Sequence, residues 1–168
     1  MTETQLISKS TQIDARGPRF GAAITAVLLL IDLFLALVQS PADNVTARLV
    51  QPATVILIPI FGLFLYGAIA GVQKHPYGRL FAKYVKPKLN NPGELEDAAA
   101  PTFAQAVGAV VTGIGLVLHL IGVPLALPIA VAAAFVAAFL NAAFGYCLGC
   151  EIYLLLRRAG IVRGAKTS

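Results

Sequence analysis

The chain has two cysteines, Cys147 and Cys150, set three residues apart at the end of the apolar run Leu140–Glu151. On a helix, positions i and i+3 share a face, so the two sulfurs are neighbours and the spacing permits a disulfide. A thiolate is the reacting form of cysteine, and Cys-x-x-Cys pairs are places where it is often favoured. The chemistry these residue types support is thiol–disulfide exchange with a soluble protein, or relay of electrons towards quinone. Glu151, directly after the pair, is the candidate proton acceptor. Two other readings stay open. Small apolar cysteines also fill helix interfaces. A zinc ion would need four ligands, and Cys147, Cys150, His75 and either Glu151 or water are all that the sequence offers.

The remaining polar groups inside apolar stretches are Asp32, His119 and Asn141. Asp32 reads equally as a proton or ion site and as a hydrogen-bonding partner for another helix. His119 reads as a hydrogen-bonded packing residue, and Asn141 as interhelical glue. No phosphate loop, Ser-His-Asp set or dinucleotide fingerprint is present, so the residues specify no cofactor.

The elements that carry these groups follow from composition. Of the 168 residues, 58% are hydrophobic and 12% charged, about half the charged fraction of a soluble domain. With a mean hydropathy of +0.79, the expected class is all-α, an integral membrane four-helix bundle. Spans are predicted at about 20–39, 52–72, 103–121 and 125–150 or longer. They form one transmembrane unit, 20–158, between tails at 1–19 and 159–168. The apolar stretch from Phe20 is too long for a signal-peptide core of ~7–15 residues, so it is read as a retained span. Gly17-Pro18 reads as a breaker that keeps the first tail irregular, and Pro59 as a kink in the second span. Between spans two and three, 78–84 reads as a short interfacial helix with Leu80, Phe81 and Tyr84 on one face. Glu94, Glu96 and Asp97 form an acidic patch before the third helix. The alanines of 130–138, with Gly108, Gly113 and Gly115, read as sites of close helix packing.

Topology follows from the basic residues. Twelve of the 13 fall in the first tail, the middle loop and the last tail, leaving Arg48 alone on the other side. The positive-inside bias places both termini and the middle loop in the cytoplasm of a multi-pass membrane protein. The net charge of +5 is therefore topological, and nucleic acid is not an expected partner. At 1.5 Å per residue, Cys147 lies ~28 Å and Cys150 ~33 Å from Pro128, which puts the pair at the cytoplasmic interface. Asp32 at ~20 Å and His119 at ~25 Å from the cytoplasmic ends of their helices are both in the outer half, where they can face each other.

Several of these segments resemble a family. His75-Pro76-Tyr77-Gly78 with Leu80-Phe81, Glu94–Asp97 with Phe103-Ala104-Gln105, Arg16–Phe20, and above all Asn141–Glu151 with Tyr153 are similar to the bacterial membrane family catalogued as domain of unknown function 4395. The resemblance spans nearly the whole chain. It implies a setting near thioredoxin-like or sulfurtransferase proteins, and so a cytoplasmic partner of that kind. The first expectation is a membrane-embedded thiol-redox or sulfur-handling protein, in enzyme terms a thiol–disulfide oxidoreductase, working through Cys147 and Cys150 with Glu151 and His75 close by. Two others differ in class: a non-catalytic accessory subunit of a larger membrane complex, or a homo-oligomeric transporter of a small ion or sulfur species using Asp32 and His119.

Overall fold

A computed structural model describes residues 12–91 and 93–161. Lys9, Pro92, Arg163 and Lys166 lie outside them. Four helices are long and apolar enough to cross a membrane: α1 (Arg16–Val38), α3 (Pro52–Ala70), α5 (Ala99–Leu120) and α6 (Ala126–Phe144). Shorter helices are α2 (Val45–Leu49), α4 (Pro76–Leu80) and α7 (Leu148–Arg158). Two three-residue strands, β1 (Gln12–Asp14) and β2 (Leu95–Asp97), pair antiparallel. The long helices form a ring in which α1 touches α6 and α3, and α5 touches α3 and α6. This is a four-helix bundle, the architecture of a multi-pass membrane protein. Its outward faces carry a belt of exposed large apolar side chains, among them Leu30, Phe34, Ile69, Val117 and Ile129, as a lipid-facing surface requires.

The core is not spread evenly. Leu29 and Ala36 on α1, Ala53, Leu57 and Ile60 on α3, Leu116 on α5, and Leu127, Val131 and Ala134 on α6 make one cluster. All lie towards the end of the bundle that carries α2. There Arg48 explains itself: its Nε donates to the Ala42 carbonyl (3.0 Å) and its Nη1 to the Leu120 carbonyl (3.0 Å). It thus supplies a donor to one of the last carbonyls of α5, which have no partner inside the helix. Arg48→Ala is expected to lower stability by about 1.5–3 kcal/mol, the range for hydrogen bonds from a charged donor. A thermal melt in detergent reads it, and an unchanged midpoint would contradict the capping role.

The opposite end is tied together by the strands. Gln12 pairs with Asp97, Ile13 with Glu96 and Asp14 with Leu95, and the Ala15 N–H donates to the Glu94 carbonyl at 3.0 Å. Asp14 receives Arg16 Nε at 2.9 Å and Nη2 at 2.8 Å; that guanidinium holds the Asp14 carboxyl below the ordinary aspartate range. Burial, together with the Asp14 charge, raises Glu96. Asp97 accepts the Ala99 N–H at 3.0 Å, just ahead of α5.

Four sequence expectations change. The first tail is not irregular up to residue 19: α1 begins at Arg16, because a proline in the first helical turn gives up only an N–H that has no partner there anyway. The third helix likewise starts at Ala99, ahead of 103, with Pro101 in its first turn. The interfacial segment is α4 followed by a π turn over Phe81–Val85. That turn takes Phe81 inward, 4% exposed against the ring of Phe20 at 5.9 Å, while Leu80 and Tyr84 stay outside. The fourth long helix does not continue through Cys150. It stops at Phe144, where Gly145 takes a left-handed conformation (φ 70°) that a residue without Cβ reaches at no cost.

Candidate functional site

Past the break at Gly145 the chain restarts as α7. Cys147 is its N-cap, and the Cys147 sulfur accepts the Cys150 N–H at 3.3 Å. Cys147 and Cys150 are joined as a disulfide with their Cα atoms 5.2 Å apart, within the usual range for such a bond. Both residues are half-buried. The helix that follows is amphipathic. Gly149 and Tyr153 turn inwards, while Glu151, Ile152, Leu154, Leu155, Arg157 and Arg158 are exposed.

Gly149 sets how closely α7 can lie on α5. A Cβ built there would come within 2.5 Å of Ala104 Cβ, so the two helices meet backbone to backbone. Tyr153 stacks at 5.7 Å on Phe103, and the Arg157 guanidinium sits 5.9 Å from the Tyr153 ring. The break itself is covered by Arg19, whose Cζ lies 3.3 Å from where a Gly145 Cβ would be. A cation from α1 therefore stands two residues from Cys147.

The disulfide end of the bundle encloses a cavity of about 480 Å3, inside the ~300–1,000 Å3 range of small-molecule sites. Cys147 is among its lining residues, and it runs between α1, α5 and α6 as far as Thr25, Val111 and Ala133. The alanines of α6 explain it. Gly115 does meet Ala130, and Gly108 and Gly113 meet Phe64 and Phe61, in the close packing expected. Ala133, Ala134, Ala137 and Ala138 instead line the cavity, because side chains this short leave the space between helices unfilled. Two carboxamides, Gln105 of α5 and Asn141 of α6, also line it, and neither side chain hydrogen-bonds to a described residue.

His75 lines the same cavity but is 6% exposed and engaged at both nitrogens. The Tyr77 N–H donates to Nδ1 (3.3 Å), which assigns the ring proton to Nε2 and lets it donate to the Leu63 carbonyl (3.2 Å). The ring holds α3, the loop and α4 together. Burial lowers its pKa below the ordinary histidine range, opposed by the Leu63 hydrogen bond, and burial raises that of the Tyr77 phenol. With the cysteines bonded to each other and His75 fully engaged, Cys147, Cys150 and His75 do not come together as metal ligands in this structure. No group of three metal-binding side chains is found among the described residues.

The histidine gives a signed pH expectation. A folded-state pKa below the unfolded one leaves stability complete above the unfolded value of about 6.5 and removes it as pH falls from there towards the folded value. The thermal midpoint should therefore drop on acidification below about 6.5, and His75→Gln should flatten that part of the profile. An identical slope in the variant would count against the buried neutral ring.

The other predicted site residues are elsewhere. Asp32 is fully buried on the core face of α1, and neither carboxylate oxygen has a partner among the described residues. It does not pair with His119. His119 Nε2 bonds to Gln51 Oε1 at 2.9 Å, and Gln51 Nε2 donates to the Ser40 carbonyl at 2.7 Å. This chain of contacts fastens the ends of α1 and α5 to the start of α3, the packing role read for His119. Glu151 is exposed in the first turn of α7, where a carboxylate favours the helix N-terminus. Gln105 was missed as a candidate; its place one helical turn from Pro101 on an apolar stretch was the available signal.

No curated protein and no solved structure matches the chain. Residues 13–158, from the first strand to the last turn of α7, match the family described as Domain of unknown function (DUF4395), and the chain belongs to that family.

Proposed function

We propose that this protein is a membrane-bound thiol–disulfide oxidoreductase whose working pair is Cys147 and Cys150, exchanging with a soluble dithiol protein on the cytoplasmic side of the bacterial plasma membrane. The observation that carries the reading is the disulfide at the N-terminus of α7, half-buried beside a cavity. Its placement among nine of the ten basic residues described, all but Arg48, supports the cytoplasmic side. A thioredoxin-like or sulfurtransferase protein fits the partner's chemistry.

The two sulfurs differ. On reduction, Cys147 lies where the helix N-terminus and the Cys150 N–H favour an anion, with Arg19 close to the break. The better leaving thiolate is the better stabilised one. A partner thiolate therefore attacks the Cys150 sulfur, forming a mixed disulfide and releasing Cys147 as thiolate. The partner's second thiolate then attacks its own sulfur in that mixed disulfide and releases Cys150. Two electrons have moved from the partner to the pair, and the partner leaves as a disulfide.

Mass spectrometry of purified protein tests the first requirement. No alkylation is expected without reductant and two added groups after it. Two free thiols in untreated, anaerobically prepared protein that also fail to form a disulfide with an oxidised thioredoxin-type partner would remove the proposal.

A further inference from the structure

We infer that the cavity beside Cys147 binds a lipid-soluble quinone, which takes the electrons from the reduced cysteine pair; this rests on the thiol-redox reading above. Its inner walls are short apolar side chains from α1, α5 and α6, reaching from the Cys147 end to mid-bundle at Thr25 and Ala133. Such a space receives a flat ring followed by a hydrocarbon tail, and the belt of lipid around the bundle supplies molecules of that kind. Polar side chains line it as well, Asp14, His75, Tyr77 and Lys86 among them. Gln105 and Asn141 both line the space with carboxamides unengaged by any described residue. An amide N–H is the donor that a quinone carbonyl needs, and both residues are only half-buried, so their carboxamides are open to a ligand. Two such donors on facing helices match a ring with two carbonyl oxygens better than they match a plain acyl chain, which accepts no hydrogen bond.

Of the two sulfurs, Cys147 is the one that lines the cavity. This completes a division of labour. Cys150 meets the soluble partner, and Cys147, the sulfur released as thiolate, faces the quinone. The step balances without a further reactant. Two thiols become a disulfide, giving up two electrons and two protons, and the quinone becomes the quinol. Over the cycle the soluble dithiol is oxidised and the quinone reduced.

The test uses the full chain in nanodiscs without endogenous quinone, with ubiquinone-1 and menadione as probes. Binding is followed by displacement of a fluorescent quinone analogue. Turnover is followed anaerobically by the loss of quinone absorbance after adding pre-reduced protein. Stoichiometric quinol formation is expected from the wild type. The Cys147→Ser, Cys150→Ser double variant should still bind quinone but form no quinol. Gln105→Leu and Asn141→Leu should each weaken binding about tenfold, equivalent to ~1.4 kcal/mol, while leaving exchange with a soluble dithiol intact. Ala137→Phe should block the cavity, its thermal midpoint and dithiol exchange reporting that the fold survives. Should Ala137→Phe not fold, the two carboxamide variants carry the test. Dithiol exchange in a protein that neither binds nor reduces either quinone would overturn this inference and leave the thiol reading standing. Quinone binding with no thiol oxidation in any preparation would overturn both the electron transfer inferred here and the exchange cycle it completes.

Discussion

Gly115→Ala, a single added methyl group, should cost on the order of 3 kcal/mol, the upper part of the range for overpacking. The new Cβ would overlap the Cβ of Ala130 and stand 3.6 Å from the Ala126 carbonyl and 3.7 Å from the Ala130 Cα, so part of what it meets is α6 backbone. The two helices cannot slide apart to make room, because α5 is already held to α3 through Phe61 and Phe64 against Gly113 and Gly108. Interfaces between helices in lipid depend on this closeness, since association there comes from packing rather than from escape from water. Ala130→Gly in the same chain should restore most of the loss, because the glycine is only moved from α5 to α6 and the helix-propensity changes of about 1 kcal/mol at the two positions roughly cancel. A double-mutant cycle by thermal or denaturant unfolding measures the coupling. Additive effects of the two changes would show that the contact does not set the spacing of α5 and α6.

Cys147→Ser should reduce dithiol exchange to background while leaving the bundle folded. The reason is the asymmetry of the pair. A serine at the N-cap can still accept the Cys150 N–H and begin α7, so the structural part of the position survives. No disulfide remains for a partner to attack, and Cys150 alone can only be held as a mixed disulfide. With a partner that lacks its second cysteine, the Cys147→Ser protein should accumulate a covalent complex through Cys150 on mild oxidation. The complementary Cys150→Ser protein should accumulate far less, its remaining sulfur facing the cavity. Non-reducing gels with mass mapping of the linked peptide decide it. Equal trapping by both variants would cancel the assignment of roles, and undiminished exchange by either would cancel the exchange itself.

Much of this was legible in the residue order, and the parts that were not have physical causes. Apolar runs long enough to span lipid announce their helices by length alone, and the Cys-x-x-Cys spacing announces a bond between neighbours. Azimuth is harder. Depth along the axis put Asp32 and His119 at similar levels, yet depth says nothing about which way a side chain points, and His119 found Gln51 at the mouth of α3 instead. The end of α6 was hidden because Ala-Ala-Phe-Gly-Tyr-Cys stays apolar through the break. Only Gly145, a residue type that commonly follows helix ends, marked it. The alanines of α6 were ambiguous in principle. A short side chain permits close approach or leaves a void, according to what stands opposite, and Ala137 lines a void. The three-residue strands carry no periodic signal at all, and the paired residues are about half the chain apart.

Those strands have a consequence for how the molecule is made. Gln12–Asp14 emerges early from the ribosome, yet its hydrogen-bonding counterpart Leu95–Asp97 follows only after α1, α3 and the loop between them. The first two long helices are therefore made with the clasp still open. Closing it turns the intervening chain into a ring fastened at one face of the membrane. A nascent product halted before Leu95 would present an unpaired strand, a natural handle for quality-control proteases.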